Sequence, residues 1–464
     1  MQFRVEIRNV QPISHLVFEI DLSQHGIHCI VGKNGVGKTT LSKAIMNLAL
    51  ADTFIRTSSA GVFSDSSAIS YTLGEQQYLF TYDPALRSIS TKQPVPSHHK
   101  TVLSVELPAP HGQRFTFFRT LSEQDENIRQ AVVLGRYEKP IALIEFLANI
   151  YKEQRFDHLV EVPIRRGVCC CFVFEDKRSI REDSFSSGEY FLINLYRKIT
   201  QGTPLIVIDE IDISLDASTQ ARLAEQLRQL CAKHRSSVVF TSHSLALMQT
   251  LEPGEILYLD RDRDAGEITP LPMSFNGVKS LLFGFEGYDR YILTEDERLE
   301  QFLQYAINRY CSPTFYSFQV ICVGGQGYVK RMMNLNDQYK FYGPKENVIS
   351  VLDGDQSEQR QPKQVFCLPI KNVENALWQL YREDDFQYRF DGGEELQAKP
   401  LYGQLTRSRK LLSSEEVCRL LCDHHDIAMQ QFALTLTDFL CRPGANRYRP
   451  VSSVKSDHSS DRSK

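Results

Sequence analysis

Gly32-Lys33-Asn34-Gly35-Val36-Gly37-Lys38-Thr39 follows the apolar run Ile27 to Val31 and precedes a helical pattern that opens at Lys38. These residues satisfy GxxxxGK[ST] in full, and strand, loop and helix in succession is the setting in which that spacing cradles phosphate. Gly32, Gly35 and Gly37 let backbone N–H groups curl around the anion, the Lys38 ammonium reaches the terminal phosphates, and the Thr39 hydroxyl is offered to magnesium. Asn34 and Thr40 complete the expected nucleotide-binding set. The stretch predicts a nucleoside triphosphate as ligand, with Mg2+.

With 464 residues and 42% hydrophobic content, the chain has room for two or three domains with sizeable cores. A net charge of −4 supplies no overall basic field. Any nucleic-acid contact must then use a local patch such as Arg165/Arg166 or Lys177/Arg178/Arg181, charges that otherwise read as a solvated face. The eleven cysteines include Cys169-Cys170-Cys171 inside an apolar strand pattern, which suits buried thiols in a reducing compartment rather than a disulfide framework. The start MQFRVEIRNV lacks a signal-peptide hydrophobic region, and no stretch approaches the roughly eighteen apolar residues of a membrane span. The expectation is a cytoplasmic protein without a membrane partner.

Outward from the phosphate loop, FRVEIRNV and HLVFEIDL alternate as strands. Further strand-like segments at Tyr78 to Tyr82, Val102 to Leu107 and Phe115 to Arg119 predict an antiparallel layer beside the nucleotide site. Phe185-Ser186-Ser187-Gly188-Glu189 stands before the helical YFLINLYRKI, where serine and glycine also serve ordinary helix capping. Leu205 to Ile208 is a short, fully apolar strand ending in Asp209-Glu210. A buried strand delivers both carboxylates to the site edge, Asp209 to hold magnesium and Glu210 to deprotonate the attacking water as a general base. Ile213-Ser214-Leu215-Asp216 comes next, and Val238 to Thr241 is a second buried strand, leading through Ser242 to His243.

SSGE before a helix resembles the LSGGQ signature of ABC-type ATPases. Asp209-Glu210 is similar to their Walker B element, Ile213 to Asp216 to the D-loop, and His243 to the switch histidine that senses the terminal phosphate. Phosphate loop, signature, Walker B with D-loop and switch histidine also occur in the order of ABC-type heads. The resemblance implies that ATP is the nucleotide and that Ser187 and Gly188 contact ATP held by a second copy, so a homodimer or higher homo-oligomer forms through the ATPase heads. No heptad arm of the chromosome-maintenance kind lies between Thr39 and Phe185. Gln76, Gln77 and Gln130 are the candidates for the glutamine loop.

The second half repeats an alternation of strand and helix: strand Arg290 to Thr294, helix Arg298 to Tyr310, strand Phe318 to Val323, turn Gly324-Gly325-Gln326-Gly327, helix Tyr328 to Asn336, strand Val348 to Leu352, strand Val365 to Ile370 and a helix from Val373. Parallel strands place their carboxyl ends on one edge, so Glu295, Asp353 and Asp355 converge there as a hard-oxygen site for Mg2+ or Mn2+. Glutamate after the first strand and DxD after the third resemble a TOPRIM domain, and an ABC-type head followed by TOPRIM resembles the overcoming-lysogenisation-defect (OLD) family of nucleases. That resemblance covers roughly residues 1 to 385, with Glu374-Asn375 also matching. It implies cleavage of DNA or RNA in bacterial anti-phage defence, sometimes alongside a retron reverse transcriptase and its nucleic acid or a separate effector protein. The family writes its first acidic motif VEGxxD, whereas this chain reads Thr294-Glu295-Asp296-Glu297-Arg298-Leu299. Glu300 or Asp296 could replace the second acid; otherwise the unit is a scaffold that no longer cuts. Lys371 and Lys410 are candidates for the lysine this family places near its metals.

The expected fold class is α/β: an ABC-type ATPase head with an antiparallel β layer over residues 1–285, a Rossmann-like TOPRIM domain over 286–395, a small helical region over 396–446 and a disordered polar tail over 447–464. Cys418, Cys422, His424 and His425 are zinc-ligand types, but their spacing fits no pair of ligand hooks and reads as helix packing.

Overall fold

The computed structural model describes residues 1–464 except 109–113, 166, 177, 263–265, 285–286, 357–363 and 442–464, and leaves out the side chains of 60, 114–117 and 120. Arg166, Lys177 and the tail 447–464 therefore lie outside the described residues. The chain divides into two units, Met1–Phe285 and Glu286–Lys464.

In the first unit the strands are β1 (Gln2–Val10), β2 (Ile13–Asp21), β3 (Gly26–Val31), β4 (Phe63–Leu73), β5 (Gln76–Asp83), β6 (Ser88–Ser90), β7 (Leu103–Glu106), β8 (Leu159–Ile164), β9 (Gly167–Val173), β10 (Ser179–Arg181), β11 (Leu205–Ile208), β12 (Ser237–Thr241), β13 (Ile256–Arg261) and β14 (Glu267–Pro272). Eleven of them form one sheet in the order β6-β5-β4-β1-β2-β14-β13-β3-β12-β11-β7. The β6 to β2 part is antiparallel, whereas β13, β3, β12, β11 and β7 run parallel. Parallel strands need cover on both faces, which is why their sequences are unbroken apolar runs. In β11, Ile206 and Ile208 pack among Leu147, Leu192 and Leu227 of the helices Ile141–Tyr151, Ser187–Thr200 and Ala217–His234. Leu205 and Val207 face the opposite way, into the cluster of Leu41 and Ile45 from helix Lys38–Ala49.

Two expectations fail here. Val102 to Leu107 does form a strand, but β7 pairs in parallel with β11 rather than joining the antiparallel layer, because a period of two marks a strand without naming its neighbour. Phe115 to Arg119 lies within the helix Arg114–Glu123. Its aromatic content favours a strand, yet Phe118 packs on Tyr190 with ring centroids 5.0 Å apart and Leu121 is fully buried three positions on, a helical spacing.

A separate sheet, β10-β9-β8, carries the cysteine run. Cys169 and Cys171 face a small cluster with Leu121, Ile128 and Val132, and Cys170 faces the main core. All eleven cysteines are free thiols.

The second unit holds a four-stranded parallel sheet of β15 (Arg290–Thr294), β16 (Phe318–Cys322), β17 (Val348–Leu352) and β18 (Val365–Cys367), in the order β16-β15-β17-β18. Ile292, Ile349 and Val351 face helices Glu297–Tyr310, Val373–Tyr381, Ser414–His424 and Asp426–Leu440, while Leu293, Val348 and Leu352 face helix Gln326–Tyr339. Cys418 and Cys422 are buried in the first of these layers, as helix packing predicts. Among the described residues no helix is long and apolar enough to cross a membrane.

Candidate nucleotide site and acidic edge

The carboxyl ends of β3, β12 and β11 lie side by side, which brings three motifs far apart in sequence to one edge. After β3 the phosphate loop turns into helix Lys38–Ala49 through Gly37, whose φ of 112° is open to glycine and strained for other residues. A Cβ there would lie 2.6 Å from Ile13 Cγ1. Gly35 is left-handed as well, at φ 74°. At Gly32 a Cβ would meet Val36 and Leu259 at 3.0 and 3.3 Å, so the loop's entry is tight. Asn34, Gly35 and Thr39 are exposed, and the Thr40 hydroxyl lies 3.5 Å from the Gln11 carbonyl. Arg261 at the end of β13 was invisible to motif reading: its Nη2 donates to the carbonyls of Pro12 at 2.9 Å and Gly35 at 3.2 Å, bracing the loop from outside.

Lys38 is buried, its Nζ donating to the carbonyls of Gly32 at 2.8 Å and Lys33 at 3.3 Å. Burial holds its ammonium below the usual lysine range, against the pull of Asp209 and Glu210. Asp209 is 4% exposed; its Oδ1 accepts from Thr241 Oγ1 at 2.7 Å, and its buried Oδ2 has no hydrogen-bond partner among the described residues. A buried carboxylate oxygen left without a donor is costly unless a cation engages it, so this donor set fits a divalent ion held by Asp209 together with Thr39. Glu210 takes the left-handed conformation at φ 57° and is half-buried. Exposed His243 follows β12. Desolvation first and then Lys38 lower its imidazole below the usual histidine range, against the opposing pull of Asp212, Glu210 and Asp209.

The signature segment is doing two things. Ser186 is the N-cap of helix Ser187–Thr200, in a capping box with Glu189. Ser187 stays exposed, while Gly188 is buried where a Cβ would stand 2.7 Å from the Ser214 carbonyl of the D-loop. Asp216 caps helix Ala217–His234, accepting from the amides of Ser218 and Thr219 at 2.9 and 3.0 Å. Gln76 and Gln77 sit on β5 in the antiparallel layer and Gln130 on helix Asp125–Val133, so none of these glutamines lies at the end of a parallel strand.

In the second unit, Glu295 follows β15 and Asp353 follows the adjacent β17, as parallel pairing requires. The Asp353 amide donates to Glu295 Oε1 at 3.1 Å, and the Gln326 amide at the start of the next helix also donates to that carboxylate. Gly354 threads past the strand following: a Cβ would lie 2.7 Å from the Leu368 carbonyl. Asp355 is exposed, its amide donating to the Lys371 carbonyl at 3.2 Å, which sets Lys371 beside the acids. Asp296 is the N-cap of helix Glu297–Tyr310, its Oδ1 accepting from the amides of Arg298 and Leu299, both at 2.9 Å, so only its Oδ2 remains for a role as second acid. Glu374 is buried and paired with Arg298. Burial, then Asp296, Glu295, Asp355 and Glu374, push the Asp353 carboxyl up to about 7. Glu295 is raised too, first by burial. Among the described residues no three His, Cys, Asp or Glu side chains stand close enough to hold one ion together. The acids thus share an edge and a field without forming a closed ligand cage.

Two family models match, one described as "AAA domain" over residues 4–131 and one as "AAA domain, putative AbiEii toxin, Type IV TA system" over residues 173–249. They contain the phosphate loop and the signature-to-switch segment respectively, and neither reaches the second unit. The chain is similar to the methionine import ATP-binding protein MetN of Protochlamydia amoebophila, 22% identical over 52% of this chain and 57% of that protein. It is also similar to the oligopeptide transport ATP-binding protein OppF of Mycoplasma genitalium, 29% identical over 24% of this chain and 13% of that protein. The chain thus spans less than two-thirds of the length of these relatives. A solved SMC head bound to the C-winged helix domain of ScpA aligns with 58% of this chain and 97% of its own, at 14% identity and a TM-score of 0.39. These matches to ATPase domains and ATP-binding proteins support an ATP-binding ATPase of the ABC type in the first unit.

Proposed function

We propose that the protein is an ATP-gated, metal-dependent nuclease of the OLD type. Two copies sandwich ATP between the phosphate loop of one and Ser187-Gly188 of the other, Glu210 activates the water that hydrolyses it, and head closure licenses phosphodiester cleavage at Glu295, Asp353 and Asp355. The observation carrying this reading is the placement of Glu295 and Asp353 at the ends of the adjacent parallel strands β15 and β17, the Asp353 amide bonded to Glu295 Oε1 at 3.1 Å and the Asp353 carboxyl pushed up to about 7 by burial and then by Asp296, Glu295, Asp355 and Glu374. Such crowding of negative charge is relieved by a divalent cation, Mg2+ or Mn2+, which would supply Lewis-acid activation of a phosphodiester. DNA or RNA is the substrate class, and anti-phage defence the setting, as the likeness to OLD nucleases implies. A retron reverse transcriptase with its nucleic acid is one partner this role admits. Purified protein incubated with Mg2+ or Mn2+ and each nucleotide state should cut DNA or RNA, and Asp353→Ala should abolish cutting while leaving ATP binding intact.

A second reading has its own support, since Glu295 is engaged by two backbone amides and the acids form no cage of three. In that reading the second unit is a scaffold and the ATPase a sensor that holds or releases a separate effector. Lys38→Ala or Glu210→Gln would then change complex formation, whereas Asp353→Ala would not.

A further inference from the structure

Thr241 makes three contacts that no motif demands. Its hydroxyl proton goes to Asp209 Oδ1 at 2.7 Å, its Oγ1 accepts the Glu210 amide at 2.7 Å, and its carbonyl accepts the Ile211 amide at 3.1 Å. The side chain is buried, 2% exposed. One residue of β12 therefore clamps the whole turn Asp209-Glu210-Ile211 that ends β11. That clamp matters in two ways. By occupying Asp209 Oδ1 it fixes the carboxylate rotamer and leaves Oδ2, buried and without a partner among the described residues, as the oxygen free for a cation. By taking the Glu210 amide it supports a left-handed glutamate, a conformation that persists only where its surroundings hold it.

We infer that Thr241 is the positioning residue of the ATP site: it sets the metal-holding oxygen of Asp209 and the aim of Glu210, and it joins both to His243 two residues further along the same chain segment. A shift of the switch histidine toward or away from the terminal phosphate then moves the two acids with it, through hydrogen bonds rather than through solvent. The inference rests on the reading of this site as an ATPase, and it assigns the alignment of that site to a hydroxyl at a strand position that otherwise requires only an apolar residue.

The test uses the full chain, with Thr241→Val as the isosteric loss and Thr241→Ser as the conservative rescue. Two readouts are needed: ATP affinity across a magnesium titration, including excess EDTA, and steady-state hydrolysis. Outer-shell partners of metal ligands are worth about 10–100-fold in metal affinity or activity. Thr241→Val should accordingly raise the Mg2+ concentration for half-maximal ATP binding by about 10–100-fold and lower kcat by a similar factor with KM little changed. ATP affinity in EDTA should be unaltered, and Thr241→Ser should behave as the wild type does. A valine variant with wild-type magnesium dependence, or a serine variant as defective as the valine one, overturns the inference while the ATPase reading stands. Wild-type protein showing neither magnesium-dependent ATP binding nor hydrolysis overturns both.

Discussion

The Arg197 guanidinium lies fork-on on the Glu182 carboxylate, Nη1 to Oε1 at 2.6 Å and Nη2 to Oε2 at 2.9 Å, with Glu182 fully buried and Arg197 16% exposed. Glu182 Oε2 also accepts the Cys170 amide at 2.8 Å. Arg197 stands on the signature helix and Cys170 on β9, so this pair bolts the helix that presents Ser187 and Gly188 to the three-stranded sheet. Removing one partner of a buried pair strands the other charge at a cost of about 3–5 kcal/mol. Arg197→Met should lower stability in urea unfolding by that order, whereas Arg197→Met combined with Glu182→Gln should recover a substantial part of it.

Lys38 donates to carbonyls of its own loop, so the nucleotide-free site keeps the ammonium satisfied and must exchange those bonds for phosphate oxygens when ATP arrives. Lys38→Ala should weaken ATP binding by at least about tenfold, since a hydrogen bond to a charged group is worth about 1.5–3 kcal/mol. Calorimetric titration measures this.

Gly188 packs against the D-loop carbonyl of Ser214 and the Tyr151 hydroxyl, leaving 2.7 and 2.9 Å for a Cβ. Contacts that short force the D-loop or the signature helix to move. Gly188→Ala should leave ATP binding by one copy intact yet reduce hydrolysis on the order of 100-fold, the scale of an ångström-sized misplacement near the chemistry. If light scattering found the same ATP-dependent self-association and turnover as in the wild type, the signature would have no part in a composite site.

The ATPase motifs are legible in the amino-acid sequence because phosphate chemistry demands particular residue types at short fixed spacings: glycines in the loop, Lys38 and Thr39 after it, and acids after Ile208. The second unit is legible for a different reason. Runs such as Val348 to Leu352 are apolar throughout because both faces of β17 are covered. What sequence does not reveal is who pairs with whom across the fold. The neighbour of β7, the brace from Arg261 to the phosphate loop, and the clamp from Thr241 to Asp209 and Glu210 are long-range contacts without local periodicity. Glu182, flanked by Arg181 and Asp183 in a polar stretch, is fully buried. The VEGxxD departure at Glu295 is visible in the sequence, but the use of Asp296 Oδ1 as a helix cap needs coordinates.

Asp353 gives the acidic edge a thermodynamic signature. Its carboxyl is raised to about 7 in the folded protein from an ordinary 3.8, so the native state holds a proton that the unfolded chain releases between those values. The contribution of Asp353 to stability must then fall as pH rises from about 4 through about 7, and level off above. The shift caps this loss at about 4 kcal/mol, with partial solvent access reducing it. Asp353→Asn removes the liability: it should flatten the pH dependence and leave the variant more stable than wild type at pH 8. A bound cation removes it too, by favouring the ionised acid. At pH 8, added Mg2+ or Mn2+ should therefore raise the unfolding midpoint of wild-type protein in the absence of ATP and do much less for Asp353→Asn. An equal rise in both would place the ion elsewhere, and no rise in either would favour the scaffold reading, because acids that repel one another without recruiting a cation have no means of activating a phosphodiester.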